Sequence, residues 1–361
     1  MKTIFDPVNL GKISAKNRIV RSATAESYAE GERRLTDANT GIYENLAKGE
    51  VGVIITGMFG IDENSGLNPL MPNVHHEGFV PELRKIADLV HSYDCKLVVQ
   101  LVHSGAKAFI PQGAGLPLGP SDIVLAPDKP ARAMTKGEIA DLTTAFGKAA
   151  VLCQEAGADG AQIHGAHGYL LSQFLSPYFN KRTDEYGGDI ANRGRVVLES
   201  LEAMIRATGG DYPIWIKINC KDMVEESIAM EECVWLCGEL EKGGMQAIEL
   251  SAGLGFGRST SPSQAIAGES DEGSFAPEAL ELAARIGIPV ISTGGFRTPE
   301  VIEGWLNKGG IAAIGLCRPL ICEPDLVKRW LDGDRTKARC ISCSGCYRLR
   351  GGLACQPRKP R

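Results

Sequence analysis

Short apolar runs alternate with longer amphipathic segments along almost the whole chain, and this alternation limits the possible folds more than any other feature. Eight runs have the length and composition of strands, and several are apolar on both faces, as parallel strands covered on each side are. They span residues 18–22, 51–56, 96–101, 160–164, 213–218, 246–250, 288–292 and 311–315. Eight strand–helix alternations predict an α/β fold, a single (β/α)8 TIM barrel.

The segments between these strands carry the signals of helices. The predicted helices span residues 81–93, 136–156, 192–207, 230–242, 277–286 and 299–307. Proline follows a capping residue at Thr298-Pro299, and glycine pairs follow two of the helices. A doubly wound sheet is the alternative fold, but it places a GxGxxG turn after an early strand, and the sequence has no such turn there.

Two segments depart from the alternation. Residues 102–135, between the third strand and its helix, are rich in proline and glycine, and we expect them to form a lid or hairpin over one barrel mouth. Beyond Trp330 the composition turns basic and rich in cysteine. We therefore predict a barrel over residues 1–335 and a short cysteine-rich C-terminal tail over residues 336–361.

Charge and hydropathy exclude several classes of protein. The chain has 39 Lys and Arg against 44 Asp and Glu, and this acidic excess argues against a nucleic-acid partner. No apolar run reaches the ~18 residues of a membrane span, and the first residues show no secretory signal, so we expect a cytoplasmic protein without a membrane partner. In that compartment scattered cysteines are reduced core thiols. These are Cys95, Cys153, Cys220, Cys233, Cys237, Cys317 and Cys322.

Polar residues follow the predicted strands at their carboxyl ends, where barrel enzymes have their active sites. They include Thr56, Gln100, His103, His164, His167, Tyr169, Lys217, Asn219, Glu249 and Ser251. The seventh strand runs into Gly294-Gly295 and the eighth into Cys317-Arg318. Backbone N–H groups and a guanidinium at these two positions are typical of a phosphate site.

The pair His164 and His167 allows three interpretations. Its spacing is compatible with a metal site, with histidines satisfied in the core, or with catalysis. A zinc site needs further ligands, and His103 is the only other histidine expected at this mouth. Tyr169 is likewise either a packing residue or a proton donor.

Several motifs resemble the Old Yellow Enzyme family of FMN-dependent ene-reductases. They are FDPV at residues 5–8, NRIV at 17–20, QLVHSG at 100–105, HGAHGYL at 164–170, FLSP at 174–177, NKRTDEYGG at 180–188 and NR at 192–193. The block over residues 164–193 is specific, because general barrel constraints do not dictate it. The resemblance covers about residues 1–330, the whole predicted barrel.

The resemblance implies a non-covalently bound FMN that is reduced by NADH or NADPH. Gln100 would face the flavin pyrimidine edge, and Lys217 would place a cation near flavin N1 and O2. The residues that it assigns to cofactor binding are Ala23, Thr24, Ala25, Met58, Gln100, Lys217, Gly294, Gly295, Cys317 and Arg318. At Ala25 many family members have a cysteine or threonine, so that hydrogen bond is lost or shifts to Thr24.

The resemblance also implies the reaction, which is reduction of the activated C=C bond of a small enone or enoate. His164 and His167 would polarise the substrate carbonyl. Hydride would pass from flavin N5 to the β-carbon, and Tyr169 would protonate the α-carbon, since a phenol is protonated at neutral pH. These three residues are the predicted catalytic residues.

The four cysteines of the tail form a C-x2-C-x2-C-x8-C pattern. Cys340, Cys343, Cys346 and Cys355 could bind a [4Fe–4S] cluster or zinc, or be a relic of such a site. The pattern is similar to that of the dienoyl-CoA and enoate reductase branch of the family, which spaces its second and third cysteines one residue further apart. This similarity implies an alternative function, an iron–sulfur-linked enoate or dienoyl reductase. In it, a ferredoxin or a partner subunit would supply electrons that the cluster passes to the flavin.

Two further alternatives belong to other classes. One is a flavin-free lyase or aldolase that uses Lys217 as a Schiff-base amine. The other is a non-catalytic flavin carrier. The sequence leaves the choice between NADH and NADPH open, and a homo-oligomer is compatible with it.

Overall fold

A computed structural model describes residues 1–126, 128–255, 261–263, 266–347 and 353–356. Within these residues eight parallel strands close into a barrel, each paired with the next and β8 paired with β1. The strands are β1 Ile19–Arg21, β2 Val53–Gly60, β3 Lys96–Val102, β4 Gly160–Gly165, β5 Ile214–Asn219, β6 Ala247–Ser251, β7 Val290–Ser292 and β8 Ile311–Leu316. The predicted (β/α)8 barrel is confirmed.

Helices follow the strands on the outside of the barrel. The main helices are α1 Asp37–Lys48, α2 Phe79–His91, α3 Lys136–Glu155, α4 Arg195–Ala207, α5 Met230–Lys242, α6 Ala276–Ala283, α7 Pro299–Asn307 and α8 Leu326–Leu331. Three shorter helices span Leu170–Leu175, Ile190–Arg193 and Arg318–Cys322. Helix α3 begins with a capping box, in which the Thr135 hydroxyl accepts a hydrogen bond from the backbone N–H of Glu138.

Four predicted helices have different bounds in the structure. The helix predicted over residues 136–156 ends at Glu155, and the one predicted over residues 277–286 spans Ala276–Ala283. Helix α2 begins at Phe79 rather than at Pro81, because a proline in the first turn lacks only an N–H that has no intrahelical partner there. The helix predicted over residues 192–207 is divided at Gly194 into Ile190–Arg193 and α4. Asp189 caps the first of these pieces by accepting from the N–H of Asn192, so this short helix has its own start signal.

The interior of the barrel is apolar at its amino-terminal end. Val20, Val53, Val98 and Trp215 are fully buried there. An antiparallel hairpin of Val8–Leu10 and Ile13–Ala15 adds Leu10, Ile13 and Ala15 to the same cluster. The hairpin therefore closes this end, and the carboxyl end of the barrel is the one available to a ligand.

The segment between β3 and α3 folds into a short turn and a small sheet. Its strands are Leu118–Gly119, Ile123–Val124 and Pro130–Ala133, and the last two pair as an antiparallel hairpin. Ile123 and Ala131 pack against Phe179 and Leu254. The predicted hairpin is confirmed, while its role as a lid stays a prediction.

The described part of the tail lies against the carboxyl ends of β7 and β8. The Ala338 N–H donates to the carbonyl of Arg297 at 2.8 Å, and Arg318 Nη1 donates to the carbonyl of Ser342 at 2.9 Å. The division into a barrel and a tail at residues 335 and 336 stays a prediction, and part of the tail lies outside the described residues. Of the helices described, none has the length and apolar character of a membrane span.

Candidate active site

A cavity of about 460 Å³ opens at the carboxyl end of the barrel. All thirteen residues predicted for catalysis or flavin binding line it, and they come from seven different strand ends or the loops that follow them. These residues are Ala23, Thr24, Ala25, Met58, Gln100, His164, His167, Tyr169, Lys217, Gly294, Gly295, Cys317 and Arg318. The thirteen predicted residues thus come together in one cavity, and their roles there stay predictions.

His164 lies on β4 and its hydrogen bonds fix its tautomer. The Nδ1 atom accepts the backbone N–H of Ala166 at 3.3 Å. Burial, followed by the positive charges of Lys217 and Lys107, holds the pKa of His164 well below its usual value. The ring is therefore neutral at physiological pH, with its proton on Nε2, and that N–H is a hydrogen-bond donor.

His167 is held in the turn that follows β4. Its backbone has φ 60°, in the left-handed region, and its N–H donates to Asn219 Oδ1 at 3.3 Å. The ring Nε2 lies 2.7 Å from Ser251 Oγ, and the ring centroid lies 5.3 Å from that of His164. Burial is again the main cause that keeps the pKa of His167 well below its usual value. Two neutral imidazoles thus stand side by side.

Tyr169 completes this side of the cavity. Its ring centroid lies 4.8 Å from that of His164, and burial raises the pKa of its phenol to about 12. Lys107 Nζ lies 5.0 Å from the centre of the Tyr169 ring, and donates to the carbonyls of His167 and Leu254 at 2.8 and 2.7 Å. Lys107 was not among the predicted site residues, although it follows the predicted mouth residue His103 by four positions.

The floor of the cavity is a buried polar chain. Gln100 Nε2 donates to Gln162 Oε1 at 2.7 Å, and Gln162 Nε2 donates to Glu249 Oε2 at 2.9 Å. Lys217 Nζ donates to Glu249 Oε1 at 2.9 Å and to Ser22 Oγ at 2.7 Å. Gln100 Oε1 is buried and has no hydrogen-bond partner among the described residues. Such an orphaned acceptor is costly unless a ligand donates to it.

Two glycines at the end of β7 form a second part of the cavity. Gly294 and Gly295 have φ 125° and 80°. A Cβ on Gly295 would lie 2.3 Å from Ile266 Cδ1, so a side chain there requires Ile266 to move. Arg318 is buried nearby and donates to Ser344 Oγ at 3.2 Å as well as to Ser342.

The tail supplies part of the cavity wall, which sequence analysis did not foresee. Ser342 and Tyr347 both line the cavity. The Tyr347 hydroxyl lies 3.1 Å from Cys317 Sγ, which lies 3.1 Å from Thr24 Oγ1. The Thr24 hydroxyl also donates to the carbonyl of Ser22 at 3.2 Å, so it is engaged by its own neighbours.

His103 does not belong to the cavity. Its Nδ1 accepts the N–H of Gly105 at 3.0 Å, and its Nε2 faces Asp62 at 3.9 Å. The zinc interpretation of His164 and His167 therefore lacks its third histidine. Across the described ranges, no three His, Cys, Asp or Glu side chains are arranged to hold a metal ion.

The same finding covers the four tail cysteines, all of which are described. Cys340, Cys343 and Cys346 are half-buried and Cys355 is exposed. As placed, the four thiols do not form a metal site, and the cluster or zinc stays a prediction. Two thiols predicted for the core are half-buried instead, because Cys317 faces the cavity and Cys322 interacts with Cys355.

Comparison with known proteins identifies the family. The profile of the NADH:flavin oxidoreductase / NADH oxidase family matches residues 3–336. The chain belongs to this family. The match spans nearly the whole barrel and confirms the resemblance on which the site residues were predicted.

Relatives of this NADH:flavin oxidoreductase family member support the assignment. A metal reductase of Desulforamulus reducens is 34% identical over 351 residues, which are 96% of this chain and 51% of that protein. An NADH oxidase of Thermoanaerobacter brockii is 31% identical over 349 residues, 95% of this chain and 53% of that protein. The chain thus spans about half the length of these relatives.

A solved structure shows the same likeness over most of both chains. The old yellow enzyme homologue of Zymomonas mobilis superimposes with a TM-score of 0.78 and is 25% identical, with 93% of this chain and 94% of that chain covered. The cavity of the present family member is also chemically suited to FMN. The orphaned Gln100 acceptor, the Lys217 ammonium and the glycines at the end of β7 match a pyrimidine edge and a phosphate.

Proposed function

We propose that this barrel binds FMN non-covalently and works as an FMN-dependent NAD(P)H oxidoreductase that reduces activated C=C bonds of small α,β-unsaturated carbonyl compounds. The observation that carries the proposal is the meeting of two neutral imidazoles and a protonated phenol in one cavity. This set can bind a carbonyl oxygen and supply a proton. The family, whose description names NADH and flavin, supports the cofactors.

The chain's own residues would hold FMN at its two ends. Gln100 Oε1 would accept from the single N–H of the pyrimidine edge, and Lys217 would donate to the acceptors beside it. Gly294, Gly295 and Arg318, with Cys317, would hold the phosphate. Bound FMN would supply hydride transfer between the nicotinamide and the substrate alkene.

The two histidines would bind the substrate carbonyl. His164 offers an Nε2–H because its Nδ1 is occupied by Ala166. This neutral donor stabilises negative charge that develops on the carbonyl oxygen, and it does not lose its proton at neutral pH. His167 adds a second ring beside it, 5.3 Å away.

Tyr169 would deliver the proton to the α-carbon. Because its pKa is raised to about 12, the phenol is protonated over the whole physiological range. A high pKa makes it a weak acid, which suits donation to a strongly basic carbanion-like centre. Lys107 lies close to the ring and offers positive charge to the phenolate that is left.

An anaerobic two-step reaction tests the proposal. FMN-loaded protein is first reduced with NADH or NADPH and then mixed with 2-cyclohexenone. We expect the flavin absorbance to fall in the first step and to return in the second, with cyclohexanone formed. Flavin that returns to its oxidised spectrum only on admission of oxygen would instead indicate a carrier.

The other candidates differ in measurable ways. One observation favours the iron–sulfur alternative. The tail that bears the four cysteines also contributes Ser342 and Tyr347 to the cavity wall. Iron and acid-labile sulfide in anaerobically purified protein would support it, and zinc would support the zinc interpretation. A Schiff-base lyase is disfavoured, since Lys217 Nζ is engaged by Glu249 and Ser22.

A further inference from the structure

Glu249 is a fully buried carboxylate that takes no part in the proposed substrate binding or proton transfer. It lies on β6 at the centre of the floor, and both of its oxygens accept hydrogen bonds. One comes from Lys217 and the other from Gln162, whose side chain is equally buried. Glu249 therefore connects the two residues that would contact the flavin pyrimidine, Lys217 directly and Gln100 through Gln162.

The carboxylate fixes the direction of the amide chain. A carboxylate can only accept, so Gln162 has to present its NH₂ group to Glu249. Its carbonyl oxygen then faces Gln100, which has to present its own NH₂ group in turn. The oxygen of Gln100 is thereby left directed away from the chain, and it is the atom that lacks a partner. The orientation of both amides follows from the charge of one residue.

Glu249 also limits the positive charge beside the ligand. Its Oε1 lies 2.9 Å from Lys217 Nζ, and the two side chains are 0% and 5% exposed. Opposite charges in contact act on a neighbour as a dipole, whose field falls faster with distance than that of a single charge. A lysine with a buried counter-ion stabilises added negative charge less than a lysine alone.

We propose that Glu249 is a positioning residue that presents Gln100 as a hydrogen-bond acceptor and lowers the reduction potential of the flavin by partly neutralising Lys217. The inference rests on the proposed function, because it takes FMN as the group that responds. It assigns Gln162 the part of a relay between Glu249 and Gln100. It predicts that this site selects a pyrimidine edge with an N–H.

The test measures the potential and affinity of bound FMN in wild type, Glu249→Gln and the matched control Glu231→Gln. Glu231 is a carboxylate on α5, 72% exposed and paired with Arg285, outside the cavity. We expect Glu249→Gln to bind reduced FMN at least tenfold more tightly relative to oxidised FMN than wild type does. For a two-electron couple this ratio corresponds to a potential about 30 mV more positive. A potential equal to that of wild type would overturn the inference.

A second readout follows the amide direction alone. FMN methylated at N3 has no N–H to donate, so wild type should bind it more weakly than FMN. In Glu249→Gln the amide at position 249 can donate or accept, so the chain can reverse and the discrimination should shrink. Unchanged discrimination would contradict the relay.

A second comparison covers the case in which Glu249→Gln fails to fold. It sets Lys217→Gln against the double variant Lys217→Gln/Glu249→Gln. The double variant leaves no unpaired buried charge at these two positions. The double variant should have the more positive potential, and equal potentials would overturn the inference. Failure of the proposed function is distinct, because wild type would then bind no FMN at all.

Discussion

His164 and His167 stand in a cavity that also contains the ammonium groups of Lys107 and Lys217. Burial and these charges both disfavour the imidazolium form, which keeps both rings neutral. The sequence could predict that these two histidines belong to the site, because they are part of a recognisable motif. It could not predict the tautomer of His164, which depends on a backbone N–H two residues away.

Removal of both imidazoles should separate ligand binding from flavin binding. In His164→Ala/His167→Ala we expect FMN to remain bound. The affinity for a phenol, whose oxygen takes the place of the substrate carbonyl, should fall ~10-fold, since two hydrogen bonds between neutral groups are together worth roughly 1–3 kcal/mol. The measurement is a titration that follows the flavin absorbance. His75→Ala, at an exposed position, is the control. Unchanged phenol affinity would contradict the assigned role.

Lys107 gives the stability a pH dependence of definite sign. Burial lowers its pKa to about 7, whereas an unfolded lysine titrates near ~10.4. Between these values the unfolded chain binds more protons, so this group makes the free energy of unfolding rise with pH from about 7 to about 10. Below about pH 7 the penalty for the buried charge is fully present.

Replacement of Lys107 with methionine should remove this contribution. Urea unfolding from about pH 7 to about pH 10 should show wild type gaining stability relative to Lys107→Met as the pH rises. Lys85→Met, at an exposed position, serves as the control and should run parallel to wild type. A difference between wild type and Lys107→Met that stays constant with pH would show that Lys107 does not titrate in this window.

Strands and helices of the barrel were largely predictable because their patterns are local. Strands covered on both faces contain short apolar runs, as at residues 53–55 of β2 and residues 214–216 of β5, and both strands are buried throughout. The helical periodicity over residues 192–207 does not show the division at Gly194, and the pairing of Leu118–Gly119 with residues 132–133 depends on tertiary contacts that periodicity does not encode. The buried chain of Gln100, Gln162 and Glu249 was missed for the same reason, since its members lie on three separate strands.

A substitution in the loop after β7 tests whether Gly295 belongs to a phosphate site. In Gly295→Ala the new Cβ would meet Ile266 Cδ1 at 2.3 Å, at a φ of 80° that alanine rarely adopts. We expect a loss of ~1–3 kcal/mol in stability and weaker FMN binding, because the loop has to move away from the phosphate position. Gly304→Ala is the matched control, since nothing lies within 4 Å of its added Cβ. Equal FMN affinity in the two variants would argue against a phosphate site at Gly295.

One end of the barrel is closed, and the cavity opens at the other end. The hairpin at residues 8–15 completes the apolar interior at the amino-terminal end, while the tail lies across the ends of β7 and β8. Tyr347 and Ser342 thus become part of the cavity, although they follow the last barrel strand by more than 25 residues. The tail contact was not predictable, because composition indicated only where the barrel pattern stopped.

Every role proposed for the cavity requires an isoalloxazine ring bound over the carboxyl end of this barrel. The most direct measurement is the visible absorption spectrum of freshly purified protein, repeated after incubation with FMN and removal of the free cofactor. We expect a yellow protein that retains stoichiometric flavin. Protein that is colourless at first and stays colourless after incubation would contradict it.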